Sequence, residues 1–184
     1  MIAGKNIVLR GIRPEELDYV YSLITDINNK GSFWHLQIQP LNKFRHEFHE
    51  NGFWSLEEGR MLILTKDGDI IGEILYFKGL DYQSGFEVGY ELFTKEFRGK
   101  GYMSEALMLF CAYMFSIRPI NRIQVNIMNG NSASKRVVNK CGFTHEGTMR
   151  QATFHNGQYQ DLDLYSLMRN ECVPLETLLN ESTH

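Results

Sequence analysis

Cysteine is scarce in this chain: Cys111, Cys141 and Cys172 are widely spaced, and they are the only three in 184 residues. An odd, dispersed set excludes a disulfide framework and gives no zinc-type spacing, so a reducing compartment and no bound metal are expected. Apolar runs never approach the roughly 18 residues that a membrane span needs. The opening Met1-Ile-Ala-Gly-Lys5 carries no signal-peptide pattern. A cytoplasmic protein without membrane association is the expectation. Excess positive charge is missing too: 19 Lys and Arg against 22 Asp and Glu leave a net charge of −3, which gives no electrostatic reason to expect a nucleic-acid partner. Internal repeats, low-complexity tracts and interdomain linkers are also lacking. What is there, 43% hydrophobic and 22% charged residues, suits one compact α/β domain spanning residues 1–184.

Periodicity divides the chain into strands and helices. Asn6 to Ile12 alternates as a first strand, and Pro14 opens a helical stretch with Leu17, Val20, Tyr21, Ile24 and Ile27 at a 3.6-residue period. Residues 28–59 are the least periodic, mixing Phe33, Trp34, Phe44, Phe48, Phe53 and Trp54 with His35, His46 and His49. A helix is expected there over Pro40 to Glu50. Arg60–Lys66 and Ile70–Lys78 read as strands joined by Asp67-Gly68-Asp69, with Gly85–Thr94 as a third strand of a meander. From Met103 a helix puts Ala106, Leu107, Phe110, Tyr113 and Met114 on one face. Arg122–Met128 then reads as a buried strand, Ser132–Lys140 as a helix stopped by Gly142, and Phe143–Met149 and Tyr159–Met168 as strands around an Asn156-Gly157 turn. The last dozen residues, with Pro174, read as a short helix or a frayed tail.

Between the third strand and the long helix lies Arg98-Gly99-Lys100-Gly101-Tyr102-Met103-Ser104. A glycine-rich strand-to-helix turn leaves backbone N–H groups free at a helix N-terminus, where a phosphate can bind. A P-loop would require Lys-Ser or Lys-Thr after the second glycine, whereas Gly101 is followed by Tyr102. A dinucleotide fingerprint would require an acidic residue about 20 positions on, where the chain has Arg118, Pro119 and Asn121. Both nucleotide motifs are excluded.

The ordered set Gly89-Tyr90, Phe97-Arg-Gly-Lys-Gly-Tyr-Met-Ser-Glu-Ala106, Asn131-x-x-Ser134, Cys141-Gly-Phe143, Glu146-Gly147 and Asn156-Gly-Gln-Tyr-x-Asp161 resembles the GNAT superfamily of acyl-CoA-dependent N-acyltransferases, and within it the RimJ/RimL-type branch. The resemblance covers roughly residues 6 to 170. It implies a mixed α/β fold: a twisted mixed sheet of about seven strands, flanked by helices on both faces and splayed at its centre to admit pantetheine. It further implies acetyl-CoA as co-substrate. The backbone of Arg98, Gly99, Lys100, Gly101, Tyr102, Met103 and Ser104 would hold the coenzyme pyrophosphate, with Asn131 on the pantetheine arm or the incoming amine and Ser134 near the thioester sulfur. Glu96 replaces the pattern's leading Gln or Arg, and Val138 stands where many members carry an aromatic acid. A tyrosine general acid at that position is thereby excluded.

An amine that attacks a thioester must be neutral, and deprotonating a lysine-like amine of pKa about 10.4 near pH 7.4 costs roughly 4 kcal/mol. Glu87 and Glu91 are an even number of positions apart on one strand, so they share a face and are the candidate bases. His155 is a further candidate, since a neutral imidazole accepts a proton near pH 7. The leaving thiol, with a pKa of about 8.5, needs little help, and the Ser134 hydroxyl or water suffices. Cys111, inside a helix, and Cys141, before a structural Gly-Phe, are unsuited to a covalent route. Asn131 also reads as the N-cap of the helix that follows it.

Phe33, Trp34, Phe53 and Trp54 read either as core and interface packing or as a wall of the acceptor site; the resemblance implies the wall, because the corresponding early helices and loop of RimJ/RimL-like proteins line the acceptor cleft. The expected activity is acetyl transfer by direct attack in a ternary complex. A protein or peptide N-terminal α-amine is the favoured acceptor, because its pKa of about 7.7 to 8.0 makes deprotonation cheap. A polyamine or aminoglycoside acceptor, and a non-catalytic acyl-CoA sensor, are the alternatives. A homodimer is left open.

Overall fold

The structure is a computed structural model that describes residues 1–34, 38–79 and 85–181. In chain order the elements are β1 (Ile2–Ala3), β2 (Ile7–Arg10), α1 (Leu17–Thr25), α2 (Leu41–Asn51), β3 (Glu58–Thr65), β4 (Ile70–Lys78), β5 (Gly85–Leu92), α3 (Tyr102–Ile117), β6 (Arg122–Met128), α4 (Ser132–Lys140), β7 (Thr144–His155), β8 (Gln158–Met168) and α5 (Leu175–Glu181). The strands form one sheet in the order β1-β2-β3-β4-β5-β6-β8-β7. Eight strands appear where about seven are expected: the extra one is the two-residue β1, paired with Val8 and Leu9 and too short to show alternation. His35 lies outside the described residues.

Alternation along β3 separates two cores. Met61 and Ile63 point to one face, where they join Ile74, Tyr76, Phe86, Leu107, Phe110 and Val138. Leu62 and Leu64 point to the other, under Leu17, Val20 and Phe44 of α1 and α2. Helices therefore cover both faces, α1 and α2 on one, α3 and α4 on the other.

Helix α3 is the spine of its layer. Burial of Met103, Ala106, Leu107, Phe110, Cys111 and Met114 among others leaves it little polar surface, so its position is set by packing rather than by solvation. Both ends are tied. At the start, the Glu105 carboxylate accepts from the Asn6 backbone N–H and side-chain amide, each at 2.8 Å. At the end, the Arg169 guanidinium donates to the carbonyls of Phe115, Arg118 and Ile120 at 2.6, 2.6 and 2.8 Å, satisfying groups that a helix C-terminus leaves open.

One feature of the sheet prepares the site. Strands β5 and β6 run parallel and pair only at Gly85↔Arg122, Phe86↔Ile123 and Glu87↔Gln124. Beyond that pair β5 continues to Leu92 and β6 to Met128, but the ladder between them stops. The sheet splays at its centre. Gly85 is required at the closed end, because a Cβ there would lie 2.4 Å from the Arg122 carbonyl oxygen.

Candidate active site

The open end of the splay leads directly into the turn before α3. Gly99 and Gly101 sit at φ +76 and +86, a region that other residues enter only under strain, and a Cβ on either would meet nothing within 4 Å. Gly101 is the N-cap and supplies no side-chain hydrogen bond. The amides that begin α3 thus face open space with the positive end of the helix dipole behind them. The side chains of Met103 and Ser104 are buried, so these two residues serve the opening only through their backbone. Lys100 Nζ stands 5.5 Å from the Phe97 ring. The Arg98 guanidinium donates to the Asn29 carbonyl at 3.4 Å.

Across the splay, β6 ends in a turn at Gly130, and α4 begins. The Asn131 side-chain Oδ1 accepts from the Ser134 backbone N–H at 3.1 Å, the N-cap arrangement. Tyr90 of β5 reaches the same turn, its hydroxyl donating to the Ser134 carbonyl at 3.5 Å. One turn on, Val138 is fully buried in the core.

The two glutamates of β5 share a face, as their spacing requires, but not a setting. Glu87 is in the last paired position before the splay, where Asn126 Nδ2 donates to it at 2.7 Å and Gln124 Nε2 at 3.3 Å. Burial pushes its carboxyl pKa up, and the two amides pull it only part of the way back. Glu91 instead forms an ion pair with Lys30 at 2.5 Å. Directly opposite it on β4 is Glu73, which Arg60 approaches at 3.0 Å, a contact of charge without hydrogen-bond alignment. Burial, reinforced by the Glu73 charge, lifts the Glu91 carboxyl to about 7 despite Lys30.

The four wall aromatics separate. Phe53 packs on Phe44 and Phe48, with ring centroids 4.7 and 5.7 Å apart, beneath α2. Trp54 turns to the opposite face, against Tyr76 at 5.1 Å and Tyr113 at 6.2 Å. Phe33 and Trp34 belong to a strap, residues 26–34, that crosses the open end of the splay. Its Phe33 ring comes within 3.8 Å of the Cβ position of Gly130, and the Ser32 carbonyl lies 2.7 Å from His155 Nε2. Lys30 sits 5.0 Å from the Trp34 ring centroid.

Lys30, Gln124 and Asn126 are not among the residues that sequence reasoning singles out. Gln124 and Asn126 had a signal, since they alternate with Ile123, Val125 and Ile127 and so must share the face of Glu87. Lys30 had none, because its partner is 61 positions away. The three cysteines line a cavity of about 200 Å³ bordered by α3, α4 and α5. Burial raises the Cys141 and Cys172 thiols to about 12 and about 11 and Cys111 well above its usual value, which keeps all three protonated at neutral pH.

Residues 6–144 match the model of the acetyltransferase (GNAT) domain. The chain belongs to the GNAT acetyltransferase family. It is 28% identical over 169 residues to the prophage-derived N-acetyltransferase YokL of Bacillus subtilis (strain 168), covering 91% of this chain and 93% of that protein. It is 27% identical over 118 residues to the ribosomal-protein-serine acetyltransferase of Escherichia coli (strain K12), covering 64% and 63%. It is 21% identical over 172 residues to the spermidine N(1)-acetyltransferase of Vibrio cholerae, covering 91% and 96%. The fold is that of the Vibrio cholerae spermidine N-acetyltransferase solved with CoA and spermine, at TM-score 0.75 and 19% identity over 90% of this chain and 96% of that one. A GNAT acetyltransferase from Bacillus anthracis superposes equally, at TM-score 0.75 and 20% identity over 92% and 99%. The protein is thus an N-acetyltransferase with a mixed α/β GNAT fold, and its relatives include enzymes named for protein and for polyamine acceptors.

Proposed function

We propose that this GNAT protein is a single-domain, cytoplasmic enzyme of the RimJ/RimL-type branch that moves the acetyl group of acetyl-CoA to the N-terminal α-amine of a protein or peptide. The observation that carries the reading is the pairing of Glu87, held by neutral amides at the closed end of the splay, with an uncapped helix N-terminus at the open end. The donor fits that frame. The amides of Tyr102, Met103 and Ser104, with Arg98, Gly99, Lys100 and Gly101 before them, would hold the pyrophosphate, and pantetheine would run inward between β5 and β6 past Asn131.

The acceptor enters as an ammonium and gives a proton to the Glu87 carboxylate, directly or through a water. Its lone pair then attacks the thioester carbonyl carbon, the C–N bond forms and the C–S bond breaks, and the second proton, which the nitrogen sheds on becoming an amide, passes to the leaving thiolate by way of the Ser134 hydroxyl. A base whose pKa is raised by burial is closer to that of the amine, so proton transfer is less uphill. An α-amine near pH 7.4 needs less than about 1 kcal/mol of deprotonation where a lysine-like amine needs roughly 4 kcal/mol. A spermidine-type acceptor is the second reading, favoured by the 91% coverage of the Vibrio cholerae relative.

A coenzyme-release screen against peptides with varied N-termini, polyamines and aminoglycosides tests the proposal. Peptides are expected to give the highest kcat/KM, and turnover confined to polyamines or aminoglycosides would reject the α-amine assignment.

A further inference from the structure

We infer that Lys30 is a specificity-determining residue of the acceptor site, an internal counter-ion that leaves one carboxylate for the acceptor and so selects amines of single charge over polycations. The inference rests on the acceptor face described above and names what that face admits.

The face carries several carboxylates, and among the described residues three of them have a cation of the chain beside them. Glu73 has Arg60 at 3.0 Å, Glu91 has Lys30 at 2.5 Å, and Glu146 has Arg122 at 2.6 Å. Glu87 has Asn126 and Gln124, which are neutral. A polyamine gains affinity from several carboxylates at once, and here each would have to be released from its own partner first. Lys30 is the cation best placed to make that difference. Its side chain is 7% exposed and that of Glu91 8%, so the pair is desolvated and hard to exchange with solvent ions. The Trp34 indole closes the remaining side of the ammonium. Lys30 therefore occupies, from within the chain, a box of carboxylate and aromatic ring that would otherwise suit a second ammonium of the acceptor.

The test measures spermidine and a peptide with a single free α-amine, by calorimetry on CoA-saturated protein and by kcat/KM with acetyl-CoA, at about pH 9 where a carboxylate freed of its partner is ionised. Lys30→Met is expected to raise the spermidine-to-peptide preference at least tenfold. Glu91→Gln, which strands the Lys30 charge, is expected to lower it, and the double variant to return near wild type. An unchanged preference in either single variant overturns the inference. So does a double variant that shifts as far as Lys30→Met, since that is the signature of a loosened strap rather than of charge. Wild-type preference for spermidine would reject the α-amine acceptor, while the differences among variants still decide the role of Lys30.

Discussion

At the donor end of the splay the groups that face the opening are backbone amides, held by two left-handed glycines and a helix most of whose side chains are buried. On the acceptor face they are charged and amide side chains drawn from the strap, β4, β5 and β6, each dependent on a partner from another element. A main-chain site tolerates substitution of its side chains and fails when its dihedral angles are lost. A side-chain site responds to single charges. The two ends are therefore expected to fail differently.

The largest separation should come from Glu87→Gln. Loss of a general base typically costs 10²-fold or more, so kcat is expected to fall about 100-fold while acetyl-CoA binding is unchanged. The deficit should be greatest at low pH, where the amine is most protonated, and should shrink as pH rises. A pH–rate profile identical to wild type would move the proton to another acceptor, such as His155. Gly101→Val should do the reverse. The φ of +86 and a Cβ projecting into the opening are expected to weaken acetyl-CoA binding at least tenfold, since strain alone costs about 1–3 kcal/mol. Wild-type affinity by calorimetry would show that the pyrophosphate sits elsewhere.

Among the aromatics the effects should be smaller and divided. Trp34→Ala is expected to raise KM for the amine a few-fold without moving KM for acetyl-CoA. Phe53→Ala, beneath α2, should cost roughly 2–4 kcal/mol of stability and leave both KM values in place. Chemical denaturation and steady-state kinetics on the two variants check the division.

The smallest expected effect is in the pH dependence of stability. A Glu91 carboxyl lifted to about 7 binds its proton more tightly folded than unfolded. Its contribution is thus present at low pH and is lost as pH rises from the unfolded value near 4.3 through about 7. Glu146, held to about 2 by Arg122 and Ser166, contributes above the unfolded value and loses that contribution as pH falls towards 2. Glu91→Gln should flatten the decline in Tm between pH 5 and 7.5 and leave the acid limb unaltered. A decline as steep as wild type would mean that Glu91 is ionised throughout that range.

The same division governs what could be read from the chain beforehand. The glycine turn, the α4 N-cap and the strand carrying both glutamates are local, and local geometry follows from spacing: Asn131 caps Ser134 three residues on, and Glu87 and Glu91 share a face. The seven longer strands and the helices between them are legible for the same reason, because alternation and 3.6-residue periodicity reveal the buried side of each element, whereas the placing of helices on both faces follows from the GNAT resemblance. β7 runs on beyond Met149 to His155 through an irregularity between Met149 and Thr153 that breaks alternation. Long-range choices are the illegible part. Nothing adjacent to Glu91 distinguishes it from Glu87, yet Lys30 pairs with one and not the other. Phe53 and Trp54 are neighbours in sequence and lie on opposite faces of the sheet, because the chain enters β3 between the two cores.

The ties at the two ends of α3 carry a consequence for how such a protein can change its target. With Glu105 fastened to Asn6 and Arg169 clamped on the last carbonyls, the helix cannot slide by even one residue, a step of about 1.5 Å, without breaking one fastening. None of those contacts involves the strap or the Lys30 pair. Apart from the Asn29 carbonyl that accepts from Arg98 and the Phe33 ring against Gly130, the side chains of residues 26–34 are therefore open to rewriting, by divergence or by an engineer, while α3 keeps its aim: one part of the molecule is a fixed mount and the other an interchangeable fitting.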